Sequence, residues 1–185
     1  MKELSLHILD IVQNSTKANA SHIEILITED TRVNLLSFTI NDNGCGIPKD
    51  VLKTITNPFS TSRKTRRVGL GLSLLQLACE QCNGVMRIMS EVGKGTTVTA
   101  QFQHDHIDRA PLGDMVTTLI TLITGDPDID FSYVHRVDDR VFEFHTAEVK
   151  RDLGDVPLTE MSVTQFLTEY LHEHIEHLYH KEATL

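Results

Sequence analysis

The stretch LHILDIVQNSTKANA, residues 6–20, constrains the fold of this chain more than any other segment. Ile8, Leu9, Ile11 and Val12 recur at the spacing of one helical face, so the stretch reads as a helix packed on a core. Asp10, Asn14 and Lys17 fall at i, i+4 and i+7, which stacks them in single file along the same helix. An acid, an amide and an amine in file on so apolar a helix have two readings. They form a solvated stripe, or they face a ligand that brings both a metal ion and negative charge.

Sheet and helix signals alternate after this helix. Asn19 and Ser21 are turn formers, and HIEILITED follows with Ile23, Ile25 and Ile27 on alternate positions, the pattern of a half-buried strand. NLLSFTI reads as a second strand beyond the polar TEDTR. NDNGCGIPKD is a loop in which Gly44 and Gly46 give the backbone freedom and Pro48 opens a short helix over 50–56. NPFSTSRKTRRVGLG is a long basic loop. LSLLQLACEQCNG is a buried helix closed by Asn83 and Gly84, and VMRIMSE pairs with TTVTAQF across the turn VGKG. The composition shifts at HDHIDRAPLGD. Beyond it come a helix MVTTLITLITG, a hairpin DFSYVHRVDDRVFEFHT, a short helical turn and a last helix over 162–180. The pattern predicts one domain over 1–103 and an α+β extension over 104–185.

Charge divides at the same place. Residues 1–103 hold 11 Lys and Arg against 9 Asp and Glu, whereas residues 104–185 hold 6 against 17. A basic patch for nucleic acid is not expected in the second part, which suits solubility or a basic partner. No apolar run reaches membrane-spanning length, and MKELSLHILD carries acids where a signal peptide is basic and then apolar, so a cytoplasmic address is expected. The three cysteines make an unpromising disulfide framework. Cys79 and Cys82 have C-x-x-C spacing inside a helical pattern without a second such pair, and read as structural or incidental.

Two loops carry chemistry. DNGCGI places Asp42 at the carboxyl end of a strand, where a carboxylate can accept a hydrogen bond from an exocyclic amine while the glycines let the backbone approach a flat ring. RRVGLGL leads into a helix, and Gly69 and Gly71 expose N–H groups at its N-terminus, a natural phosphate site. Arg63, Lys64, Arg66 and Arg67 add positive charge before it. A dinucleotide-binding fingerprint is excluded, because no strand immediately precedes the glycines and the G-x-G-x-x-G spacing is absent.

The ordered set DIVQNSTKANA, DNGCGIP, NPFSTSRKT, VGLGLSLLQ and GKGTTVTAQF resembles the N, G1, F and G2 boxes and closing strand of the GHKL superfamily, over residues 1–103 only. That superfamily joins gyrase, the large heat-shock chaperone, sensor histidine kinases and MutL-type repair proteins through an ATP-binding Bergerat fold. The resemblance implies an α+β chain built as a Bergerat-type α/β sandwich, a mixed sheet covered by helices on one face. It implies that Asn14 ligands Mg²⁺ bridging the phosphates, and that Asp42 reads adenine with Thr96 helping through a water. Gly44, Gly46 and Ile47 would lie beside the base, Lys17 and Lys64 would neutralise phosphate, and Gly69, Leu70, Gly71 and Leu72 would cradle it.

Asp10 stands where hydrolysing relatives carry Glu and sensor kinases carry Asn. Asp is an acid one methylene shorter, so it reaches the roughly 2.6–3.2 Å geometry of a general base less readily. Slow hydrolysis and transfer to a protein hydroxyl are both compatible. The chain begins at the first box and His7 lacks the neighbours of a phosphoacceptor, so His7 reads as a packed helix residue and self-phosphorylation is not expected. His174, His177 and His180 have spacing that could ligate a metal, but Leu171, Ile175 and Leu178 form a core stripe between them, and we read a solvated face. The expectation is a Mg-ATP-binding regulator acting with a protein partner, as a protein kinase, a slow ATPase switch or a non-catalytic nucleotide sensor, whose nucleotide would order the basic segment 60–68.

Overall fold

The computed structural model describes residues 2–55 and 70–180. Helix α1 (Leu4–Lys17) leads into strands β1 (His22–Asp30) and β2 (Leu35–Asp42), then α2 (Lys49–Ile55) and α3 (Leu70–Gln81). Strands β3 (Val85–Glu91) and β4 (Gly95–Gln103) follow, then α4 (Met115–Gly125), the hairpin β5 (Asp130–Val137) and β6 (Arg140–His145), and helices α5 (Thr146–Leu153) and α6 (Met161–His177). The six strands make one mixed sheet in the order β3-β4-β2-β1-β5-β6.

Period-two patterning buries one face of this sheet. Ile25 pairs with Ile40 on β2, which pairs with Val98 on β4; on the other side Ile25 faces Tyr133 of β5, which faces Phe144 of β6. All five side chains are buried, and the helices lie on that face. The file on α1 is explained by the same geometry: Ile8, Ile11 and Val12 enter the core, while Asp10 and Asn14 are half-buried and Lys17 is exposed.

The acidic residues beyond 103 complete this sheet. β1 has β2 on one edge and accepts β5 on the other, in parallel, with Ile23 opposite Phe131 and Ile27 opposite His135. The boundary seen in composition is therefore crossed by a continuous sheet and by a shared core, in which α4 packs on α1 and α6 on α4. The extension also finishes α1. Glu3 is extended at the N-cap and its side chain caps no backbone N–H, but the N–H groups of Leu4 and Ser5 donate to the carbonyls of Pro111 and Leu112 at 3.0 and 2.7 Å. Those are two of the orphan donors that every helix start must place.

A buried polar cluster ties the far end of β1 to the extension. Glu29 Oε1 accepts from His135 Nε2 at 3.2 Å and from the Tyr179 hydroxyl, and Oε2 accepts from His104 Nε2 at 3.2 Å. Tyr133 and His135 share a further bond of 2.9 Å. Burial disfavours the charge on Glu29, yet the bonds from His135 and Tyr179, the charge of His135 and the bond from His104 outweigh it and hold the carboxyl down at about 2. Cys79 and Cys82 are buried and unbridged, and burial pushes the Cys79 thiol up to about 12. His174 is half-buried, its ring 4.1 Å from Tyr170 and 5.1 Å from Phe142 between centroids. Among the described residues no three His, Cys, Asp or Glu are placed to hold a metal, and no helix is long and apolar enough to cross a membrane.

Candidate functional site

Asp42 sits where β2 ends, 7% exposed, and three elements fix its carboxylate. The Ser15 hydroxyl of α1 donates to Oδ2 at 2.6 Å. The N–H groups of Gly44, in the following loop, and of Thr96, on β4, donate to Oδ1 at 2.9 and 3.2 Å. Oδ1 is thus saturated, whereas Oδ2 keeps one lone pair for another donor. Thr96 meets Asp42 through its backbone because antiparallel pairing sets residues 42 and 96 opposite each other. Its hydroxyl instead bonds Ser90 at 2.8 Å, and Ser90 accepts from the Ile47 N–H at 2.8 Å.

The loop after β2 is threaded between α1 and the β3–β4 turn. The Cys45 N–H donates to Ala18 O, and the Gly93 N–H to Cys45 O, both at 2.9 Å. Gly46 has φ +71°, and any side chain there would strike the Glu91 carbonyl, so both the backbone angle and the space demand glycine. A Cβ at Gly44 would come within 2.8 Å of Ala18 O. The glycines therefore bring the loop against the end of α1, beside Asp42.

On α1, the Asn14 carbonyl accepts from the Ala18 N–H, while its side-chain amide has no hydrogen-bond partner among the described residues. Asp10 lies against Gly71 in the first turn of α3, where a Cβ would collide with its carboxylate. Leu72 turns its side chain into the core, so the first turn offers outward its backbone and not that residue. Lys64 and Gly69, with the whole basic segment 60–68, lie outside the described residues, as does the side chain of Leu70. The arrangement brings Asp10, Asn14, Asp42, Gly44, Gly46, Ile47, Gly71 and Thr96 around one end of the sheet, with Lys17 exposed at the end of α1.

One group escaped the sequence reading. Ser15 was legible only as a neighbour of Asn14, although its place between buried Ile11 and Val12 and the loop is what steadies Asp42. His7 is 3% exposed and packed as expected, and its Nδ1 is buried without a partner among the described residues. Burial, then the charge of the N-terminus, lowers its pKa against the opposing pull of Asp10.

The site thus combines a one-faced mixed sheet, a strand-end carboxylate pinned from three sides, a glycine loop and the first turn of a helix. Residues 2–106 match the family described as histidine kinase-, DNA gyrase B- and HSP90-like ATPase, and the chain belongs to that family. It is 29% identical over 168 residues to the sensor kinase CckA of Brucella abortus, covering 74% of this chain and 18% of that one. It is 32% identical over 92 residues to the sensor histidine kinase ZraS of Escherichia coli, covering 50% of this chain and 20% of that one. The chain thus spans a fifth or less of the length of either relative. Among solved structures it is similar to the MutL ATPase domain of Aquifex aeolicus complexed with ADP, at 16% identity and a TM-score of 0.47, over 73% of this chain and 60% of that one. Family membership supports ATP binding.

Proposed function

We propose that the chain binds Mg-ATP with adenine against Asp42 and the phosphates between α1 and the first turn of α3, and that it transfers the γ-phosphoryl group to a partner protein. The observation that carries the adenine assignment is the spare lone pair on Asp42 Oδ2, in a carboxylate whose other positions are already filled. Asn14 fits the metal: a half-buried amide without a partner among the described residues, on the stripe that also bears Asp10 and Lys17, offers the oxygen a hard cation takes. When bound, that ion supplies charge that offsets the phosphate chain. Asp10, against Gly71 in the first turn of α3, would take the proton from the attacking hydroxyl. Likeness to sensor kinases supports transfer to protein over hydrolysis, while the acid at position 10 supports a slow ATPase as the second reading.

Calorimetry tests the site. ATP should bind more tightly than GTP by about 2–3 kcal/mol, because the guanine carbonyl meets the carboxylate with no proton between them. Equal affinities would remove the adenine assignment. Incubation with γ-labelled ATP and cell extract separates the two reactions: label on a protein supports transfer, and free phosphate alone supports the ATPase.

A further inference from the structure

Strand pairing lines up three polar residues in one row across the sheet: Ser90 of β3 faces Thr96 of β4, which faces Asp42 of β2. Asp42 and Thr96 lie two positions from buried Ile40 and Val98, so the row is on the helix-covered face, at the end where the site is. Ser90 Oγ makes three contacts there. It accepts from the Ile47 N–H at 2.8 Å, lies 2.9 Å from the Gly95 carbonyl oxygen, and lies 2.8 Å from Thr96 Oγ1. A carbonyl oxygen only accepts, and a serine hydroxyl carries one proton. All three contacts are hydrogen bonds in one arrangement alone: Ser90 gives its proton to Gly95, and Thr96 gives its proton to Ser90. Thr96 Oγ1 is then left with lone pairs and no proton to offer, beside a carboxylate oxygen of Asp42 in the same condition.

We propose that Ser90 is a positioning residue that sets the nucleotide specificity of this site: it takes up the Thr96 proton, so that Asp42 and Thr96 present acceptors and no donor. The inference rests on the adenine reading of Asp42 given above. A pair of acceptors suits a 6-amino purine, whose exocyclic nitrogen carries two protons. It rejects a 6-oxo purine, whose oxygen needs a donor at the same place. The ring nitrogen next to the amine accepts as well, and a water donating both to it and to Thr96 Oγ1 would join the two. Ser90 has a second effect through Ile47, whose N–H it holds, tying the glycine loop to β3. Loss of the hydroxyl therefore loosens the loop and releases the Thr96 proton. The two effects separate, because only the second depends on the group at purine C6.

Calorimetry of the 185-residue chain with Mg-ATP and Mg-ITP tests this, since the two nucleotides differ only at C6 and in the N1 proton that goes with it. The parent should prefer ATP. Ser90→Ala frees the Thr96 proton for the ITP oxygen, so the ratio of the two affinities should narrow by about three- to tenfold, the contribution of one neutral hydrogen bond. Ser90→Cys, close in size and a weak hydrogen-bonding group, should narrow it in the same direction, and Ser90→Thr, which keeps the hydroxyl, should hold the parent's ratio. Thr96→Val removes the group through which Ser90 acts, so adding Ser90→Ala to it should leave the ratio where Thr96→Val puts it. Melting curves establish that each variant is folded. If Ser90→Ala weakens ATP and ITP by the same factor, or shifts the ratio on the Thr96→Val background, Ser90 only ties the loop; the proposal is overturned and the adenine assignment stands. A parent that binds the two nucleotides equally overturns both.

Discussion

Ser15→Ala removes one atom from the site and tests what holds Asp42. The hydroxyl is 2.6 Å from Oδ2, with Ser15 3% and Asp42 7% exposed, so water cannot readily replace it. A hydrogen bond to a charged group contributes about 1.5–3 kcal/mol, and the carboxylate keeps two backbone donors on Oδ1, so the loss should stay within that range. For a chain of this size that amounts to a fall in melting temperature of roughly 3–12 °C. Freed on one side, the carboxylate can turn about its remaining bonds, so ATP affinity should fall as well and preference over GTP should narrow. Ser15→Thr restores a hydroxyl on the same helix and should recover part of both quantities. Differential scanning fluorimetry and calorimetry on the three proteins give the answer. If Ser15→Ala melts and binds like the parent, the bond does not orient Asp42, and the argument from its spare lone pair fails with it.

Glu29 supplies a pH test whose sign is fixed. Its folded-state pKa is depressed to about 2, so the cluster stabilises the fold above the unfolded carboxylate value and loses that contribution as pH falls towards 2. The amount is about 3 kcal/mol, and urea midpoints measured from pH 5 downwards should fall more steeply for the parent than for Glu29→Gln; parallel slopes would refute the assignment. Gly71→Ala should displace Asp10 from the first turn of α3, lowering turnover of ATP more than stability, and an unaltered rate would place the chemistry elsewhere. Gly113→Ala should destabilise by about 1–3 kcal/mol, because φ is +87° and the methyl group would press on Glu3 and Ser5 at the start of α1. Gly93→Ala, with φ +80° but open space, bears the backbone strain alone and should lose less; equal losses in urea melts would show that the close approach of Gly113 to Glu3 and Ser5 contributes nothing.

Local pattern alone marks the strands, the core side of α1, the glycine loop after β2 and Asp42 at its head, because these depend on side-chain spacing within about ten residues. The amino acids in file on α1 are likewise fixed by helical period. What period cannot reach is which distant groups meet. Ser15 bonds Asp42 from 27 positions away, and Thr96 arrives through strand pairing that only the register of β2 and β4 decides. The composition of residues 104–185 marks them as different, but it does not show that β5 would join β1 in parallel, that Pro111 and Leu112 would finish α1, or that Tyr179 would reach Glu29 across 150 positions. Each of those contacts depends on one edge or one buried donor left open by the rest of the fold. A buried carboxylate or an unpaired strand must find a partner somewhere in the chain, and only the packed tertiary structure selects which one.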